Sequence, residues 1–83
     1  NFMDAVITSC MDELNQLVIS HPRWIPISAA AEFLHIKPEA LRASIEQGSC
    51  PFGFCWKLGD RMAYKLPTVT FFCWYTKGTG FAA

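Results

Sequence analysis

The chain reads as mostly α-helical with one small β-hairpin, and three stretches predict that class. Ile27–Gly48, ISAAAEFLHIKPEALRASIEQG, divides into two short helices around a three-residue turn. Behind it, two alternating runs, Phe54–Leu58 and Met62–Leu66, flank Gly59-Asp60-Arg61 and end on a Leu-Pro pair. Ahead of it, Phe2–Ser20 carries apolar residues at helical spacing. Helix, turn, helix, hairpin and closing helix is the order of a small winged helix-turn-helix, here with an added N-terminal helix.

Taking the elements in order, Met3, Val6, Ile7, Cys10, Leu14, Leu17 and Val18 lay one stripe along the first helix, with Asp4, Asp12, Asn15 and Gln16 off it. Ser20-His21-Pro22 ends it, since proline disfavours helical geometry in the residue before it. A short extended segment, Trp24–Ile27, leads on. Ser28 is placed to cap the next helix through its hydroxyl. Ala30, Ala31 and Leu34 then share one side, where small residues let a second helix approach. His35-Ile36-Lys37 makes the turn, with Ile36 as its apolar plug. Pro38 suits a first helical position, where no amide hydrogen is required. The second helix runs Pro38–Gln47, buries Leu41 and Ile45, and stops at Gly48.

Both hairpin runs alternate as half-buried strands do. A two-residue Gly59-Asp60 loop would set Leu58 against Arg61 and put apolar side chains opposite polar ones. A three-residue loop including Arg61 instead pairs Leu58 with Met62, Trp56 with Tyr64 and Phe54 with Leu66 on one apolar face. That register is the expectation, with Lys57 and Lys65 together on the other face and Arg61 at the tip. Val69–Lys77 has strand-like composition. It is nevertheless expected to be a helix, because Thr68 and Gly78 bracket it at helical length. Its apolar side chains call for burial on most sides, against the N-terminal helix of the same chain or of a second copy. The tail, 79–83, is expected to fray.

Composition bounds the function. Eighty-three residues allow one domain, 1–83, with one core, and an apolar fraction of 52% supplies it with some to spare for an interface. No apolar run approaches the ~20 residues of a membrane span. No basic stretch followed by an apolar one opens the chain, so a cytoplasmic protein without a membrane partner is expected. The four cysteines contain no C-x2-C pair, and His21 and His35 stand at no ligand-like spacing. No metal or cofactor is therefore expected. Cys10 and Cys73 sit at apolar positions, where free cysteine behaves as a small hydrophobe, and Trp24, Trp56 and Trp74 are read as core rather than as base-stacking platforms. With no Ser/His/Asp or Cys/His arrangement and no phosphate-cradling glycine loop, the chain is not expected to be an enzyme. Net charge is zero, yet its distribution is uneven. Residues 1–20 hold Asp4, Asp12 and Glu13 with no basic residue, a net of −3. Residues 21–83 hold seven basic residues against Glu32, Glu39, Glu46 and Asp60, so 7 − 4 = +3.

From Trp24 to Lys77 the pattern resembles the excisionase and MerR-like winged helix-turn-helix family. Ala30-Ala31-Glu32-Phe33-Leu34 is similar to the family's Ala-Ala-x-x-Leu helix, and Ile36 to its turn hydrophobe. Leu41 and Ile45 match its second-helix core, Gly48 and Pro51 its Gly-x-x-Pro exit. Tyr64-Lys65-Leu66-Pro67 resembles its wing-closing aromatic-basic-Ile-Pro. Ala29, His35 and Ala40 stand where the family has an acidic residue, a glycine and a threonine, and the wing is short.

The resemblance implies a small DNA-binding protein, excisionase-like or transcription-regulator-like, as in a mobile element, with double-stranded DNA as partner. The second helix would lie in the major groove and the hairpin, Phe54–Leu66, would serve as wing. With Leu41 and Ile45 inward, Lys37, Glu39, Arg42 and Ala43 face out. Arg42 could grip guanine with two hydrogen bonds or pair with Glu46 one turn on. Lys37 could meet a phosphate. Glu39 could accept from cytosine or complement the helix dipole. Lys57, Arg61 and Lys65 would straddle the DNA backbone or form a solvated face. The alternative is a protein-interaction or assembly module on a winged-helix scaffold without DNA affinity. It is motivated by the zero net charge and the aromatic last helix, and a homodimer through the N-terminal and C-terminal helices fits either reading.

Overall fold

Leu14, Ile25, Ala30, Ala31, Leu41, Ile45, Phe52, Leu66 and Phe71 form one buried cluster around which the elements are arranged. The computed structural model describes residues 2–79. In order these are α1 (Phe2–Ser20), α2 (Ile27–Leu34), α3 (Pro38–Glu46), the antiparallel hairpin β1 (Phe54–Leu58) and β2 (Arg61–Lys65), and α4 (Thr68–Thr79). The mostly helical class with one hairpin is as the sequence predicts. Of the tail expected to fray, 80–83 lie outside the described residues and Thr79 closes α4.

α1 obeys its stripe only in its second half. Leu14 is buried and Cys10, Met11, Leu17 and Val18 are half-buried, but Phe2, Met3 and Val6 lie open to solvent. Nineteen residues make a rod of roughly 28 Å, longer than the 21 Å that the molecule measures across its two short axes. Residues 2–6 are all exposed, so the first turn of the helix stands clear of the buried cluster. It packs on α2 and α4 of the same chain; at α4, burial, with Cys10 and Glu13 of α1 nearby, pushes the Tyr75 phenol above its ordinary pKa.

Three residues, His35–Lys37, join α2 to α3. His35 adopts left-handed geometry (φ 59°, ψ 41°), the position where the resembled family has glycine. Its amide donates to Glu32 O, and the amide of Ile36 donates to Ala31 O at 3.0 Å, which satisfies carbonyls left free at the helix end. Pro38 opens α3, and Gly48 follows it at φ 77°, as expected. Ser28 does not cap α2. The helix starts a residue earlier, at Ile27 after Pro26, with no side-chain cap, so Ser28 already lies in its first turn.

Two expectations fail at α4. Thr68 is buried and is the first residue of α4 rather than the cap before it, and its hydroxyl donates to the carbonyl of His21, tying the start of α4 to the end of α1. Gly78 does not close the helix, which runs on to Thr79. Burial is also one-sided: Phe71 and Thr76 are enclosed, while Val69, Cys73 and Trp74 are exposed. Phe71 is the hub, with edge-on contacts to Phe33 (5.9 Å between ring centres) and Phe52 (5.1 Å).

The hairpin register is the main correction. Leu58 pairs with Arg61, Lys57 with Met62, Trp56 with Ala63, Cys55 with Tyr64 and Phe54 with Lys65, around a two-residue Gly59-Asp60 turn. Gly59 has φ 66° and Asp60 a negative φ. A two-residue loop with glycine first and only that residue left-handed follows the twist of paired strands. The turn, not apolar matching, sets the register. A third extended piece lies beside β2: Trp24 bridges Pro67, Ile25 N–H donates to Leu66 O, and Thr68 N–H donates to Arg23 O.

Candidate nucleic-acid interface

α3 shows the outward set its periodicity requires. Leu41 and Ile45 are buried; Lys37, Glu39, Ala43 and Glu46 are exposed and Arg42 is half-buried. Positions 39, 42, 43 and 46 recur at three and four residues, so they form one stripe. Lys37 precedes the helix in extended geometry, and its carbonyl accepts from the amides of Ala40 and Leu41. The hydroxyl of Ser44 turns back to the Leu41 carbonyl at 2.7 Å and is not part of the outward stripe.

Glu46 is joined to the hairpin. Tyr64 of β2 donates its phenol hydrogen to Glu46 Oε2. The bond holds the phenol in its neutral form and raises its pKa, an effect that burial reinforces and the charge of Arg42 opposes. Arg42, Glu46 and Tyr64 thus form one electrostatic group where α3 meets the hairpin. The bond occupies one oxygen of the carboxylate that the sequence suggested as the partner of Arg42.

The strand register divides the basic residues of the hairpin. Side chains alternate across a strand, so Lys57 shares a face with Cys55, Met62 and Tyr64, the face turned toward α3 and the core. Arg61 and Lys65 lie on the opposite face with Phe54, Trp56, Leu58 and Ala63. The expected pairing of Lys57 with Lys65 on one outer face does not occur. Of the seven residues expected to form the interface, Lys37, Glu39, Arg42, Ala43 and Lys57 belong to the side made by α3 and the inner hairpin face, and Arg61 and Lys65 to the other.

That other face holds residues read from sequence as core. Trp24 is 42% exposed, Phe54 48%, Trp56 41% and Leu58 65%. Phe54 and Trp56 stack with centres 5.8 Å apart, Trp24 meets Phe54 edge-on, and Lys65 Nζ lies 5.0 Å from the Trp24 ring centre. The signal that could have found them is the glycine-first turn, from which the register follows. Trp74 is 40% exposed but leans on Phe52 at 4.4 Å.

The four cysteines are free thiols, Cys73 exposed rather than buried. Among the described residues no group of three or more His, Cys, Asp or Glu is arranged to hold a metal ion, and no helix is long and apolar enough to cross a membrane. A broad groove between α1 and α2 is lined by Asp12, Glu13 and Glu32 beside His21 and His35. Its carboxylates make it a poor seat for phosphate. Compared with family models, curated proteins and solved structures, the chain matches none.

Proposed function

We propose that this protein is a small, non-enzymatic DNA-binding module of the winged helix-turn-helix kind, excisionase-like or regulator-like, that sets α3 in the major groove. The observation that carries the reading is the tight α2–α3 corner presenting the stripe of Glu39, Arg42, Ala43 and Glu46, braced against the hairpin through Tyr64 and Glu46. Lys37 at the start of α3 and Lys57 on the adjacent hairpin face meet phosphates, and Arg42 reaches a base edge. Three cations against two carboxylates, one of them hydrogen-bonded to Tyr64, make a modest electrostatic footprint. Binding should accordingly be weak on arbitrary sequence and should fall with added salt through counterion release. Anisotropy of a labelled duplex at low and moderate salt tests this. Lys37→Ala, Arg42→Ala and Lys57→Ala combined should abolish duplex binding, and an unchanged titration would refute the surface.

A second reading is an assembly module. It is favoured by Phe2 at 79% and Met3 at 60% exposure in the first turn of α1, an apolar surface suited to a second copy. Sedimentation of a strict monomer at high concentration would dismiss it.

A further inference from the structure

We propose that the hairpin face turned away from α3 is a stacking platform for the unpaired bases of a single nucleic-acid strand. Its residues come from three extended segments. Trp24 stands opposite Pro67 on the edge piece, Arg61 and Lys65 lie on β2, and Phe54, Trp56 and Leu58 on β1. The opposite sides of the same segments supply Ile25 and Leu66 to the buried core, so the aromatic face points to solvent by strand alternation and not through a loose fit. Four large apolar side chains side by side, each at least 41% exposed, form a contiguous patch of the kind that marks a binding surface.

The chemistry of the patch selects its occupant. Arg61 and Lys65 are cationic, and none of Trp24, Phe54, Trp56, Leu58, Ala63 or Pro67 is acidic. A polyanion with flat rings is complementary to both features at once: bases lie on the aromatic faces and phosphates meet the cations. A symmetric second copy would instead bring two more cations into the same patch, with no carboxylate among these residues to offset them. A duplex hides its base faces within the stack, so the occupant has unpaired bases. Trp56 is the principal ring, since Phe54 backs it in a 26° stack. Trp24 is the secondary one, because Lys65 already lies over it. This site does not depend on α3, so it stands or falls separately from the duplex reading.

The test uses the whole chain, a fluorescein-labelled oligothymidylate at low salt, and tryptophan fluorescence as a second readout. Binding should quench tryptophan emission. Trp56→Ala should weaken the oligothymidylate complex about 5- to 150-fold, the range for loss of one stacked base, while Trp56→Phe retains most of it. Duplex binding should be untouched by Trp56→Ala and lost in the combined Lys37→Ala, Arg42→Ala and Lys57→Ala variant, which in turn should leave oligothymidylate binding intact. Because Trp56 is exposed, circular dichroism of Trp56→Ala should match the parent. The proposal is overturned if the oligothymidylate does not bind at low salt, or binds Trp56→Ala as tightly as the parent. It is equally overturned if sedimentation shows a dimer that Trp56→Ala dissolves, since a second copy would then cover the face.

Discussion

Replacing His35 by glycine should make the protein more stable, although it removes a side chain. His35 is the one non-glycine residue of positive φ among those described. The left-handed conformation costs an L-residue about 1–2 kcal/mol, toward the lower end for histidine, which adopts it more readily than most. Glycine relieves that strain but returns roughly 0.4–1 kcal/mol through the greater freedom of its unfolded chain. The imidazole is exposed, so little packing is lost. The net gain should be a few tenths of a kcal/mol, up to about 0.6, or a rise in Tm of up to about 5 °C for a chain of this size. Gly48 provides the mirror experiment. A Cβ there would touch nothing within 4 Å, yet φ is +77°, so Gly48→Ala should lose about 1 kcal/mol from backbone strain alone. Urea denaturation followed by circular dichroism measures both through the midpoint at constant slope. A midpoint for His35→Gly at or below the parent would refute the argument, because the turn would then owe its shape to the imidazole.

Phe71→Ala removes the hub of the aromatic core and should cost about 3–5 kcal/mol. For a domain of this length that is a drop in Tm of about 12–40 °C, and a shift of only a few degrees in thermal melting would contradict the enclosed hub. The raised pKa values of Tyr64 and Tyr75 carry a sign. Both folded-state values lie above the ordinary 10.0, so the unfolded chain releases these protons first. Their contribution to stability is complete below pH 10 and is lost as pH rises through the folded-state values. Denaturant midpoints should therefore fall above pH 10, and Glu46→Gln should lower the ionisation pH of Tyr64 in an ultraviolet titration. A flat alkaline profile would remove the Tyr64–Glu46 bond from the account.

The two parts of the candidate interface were unequally legible. The stripe on α3 follows from Leu41 and Ile45 alone, because a helix that buries positions four apart must turn 39, 42, 43 and 46 outward. The hairpin faces do not follow from apolar matching. Both registers leave alternating side chains, and a shift of one residue exchanges every one of them between faces. The register that gathers all the apolar residues inside looked better, but the Gly59-Asp60 turn prefers two residues, and Phe54, Trp56 and Trp24 cover one another outside. Tyr64 shows the same limit. Its hydroxyl reaches Glu46 across 18 positions of sequence, a distance at which no local pattern speaks.

The number, order and kind of the elements were determined by the sequence itself, through short-range physics. Pro22, Pro38 and Gly48 punctuate the helices, apolar spacing supplies their buried sides, and Gly59 marks a turn. Tertiary structure decided what lay beyond one turn or one loop. Thr68 gives its hydroxyl to the carbonyl of His21 at the end of α1, and Tyr64 of the hairpin gives its own to Glu46 of α3. In each case the deciding contact joins segments far apart in the chain, where residue spacing carries no information and only the packed core selects among arrangements that satisfy the local rules equally well.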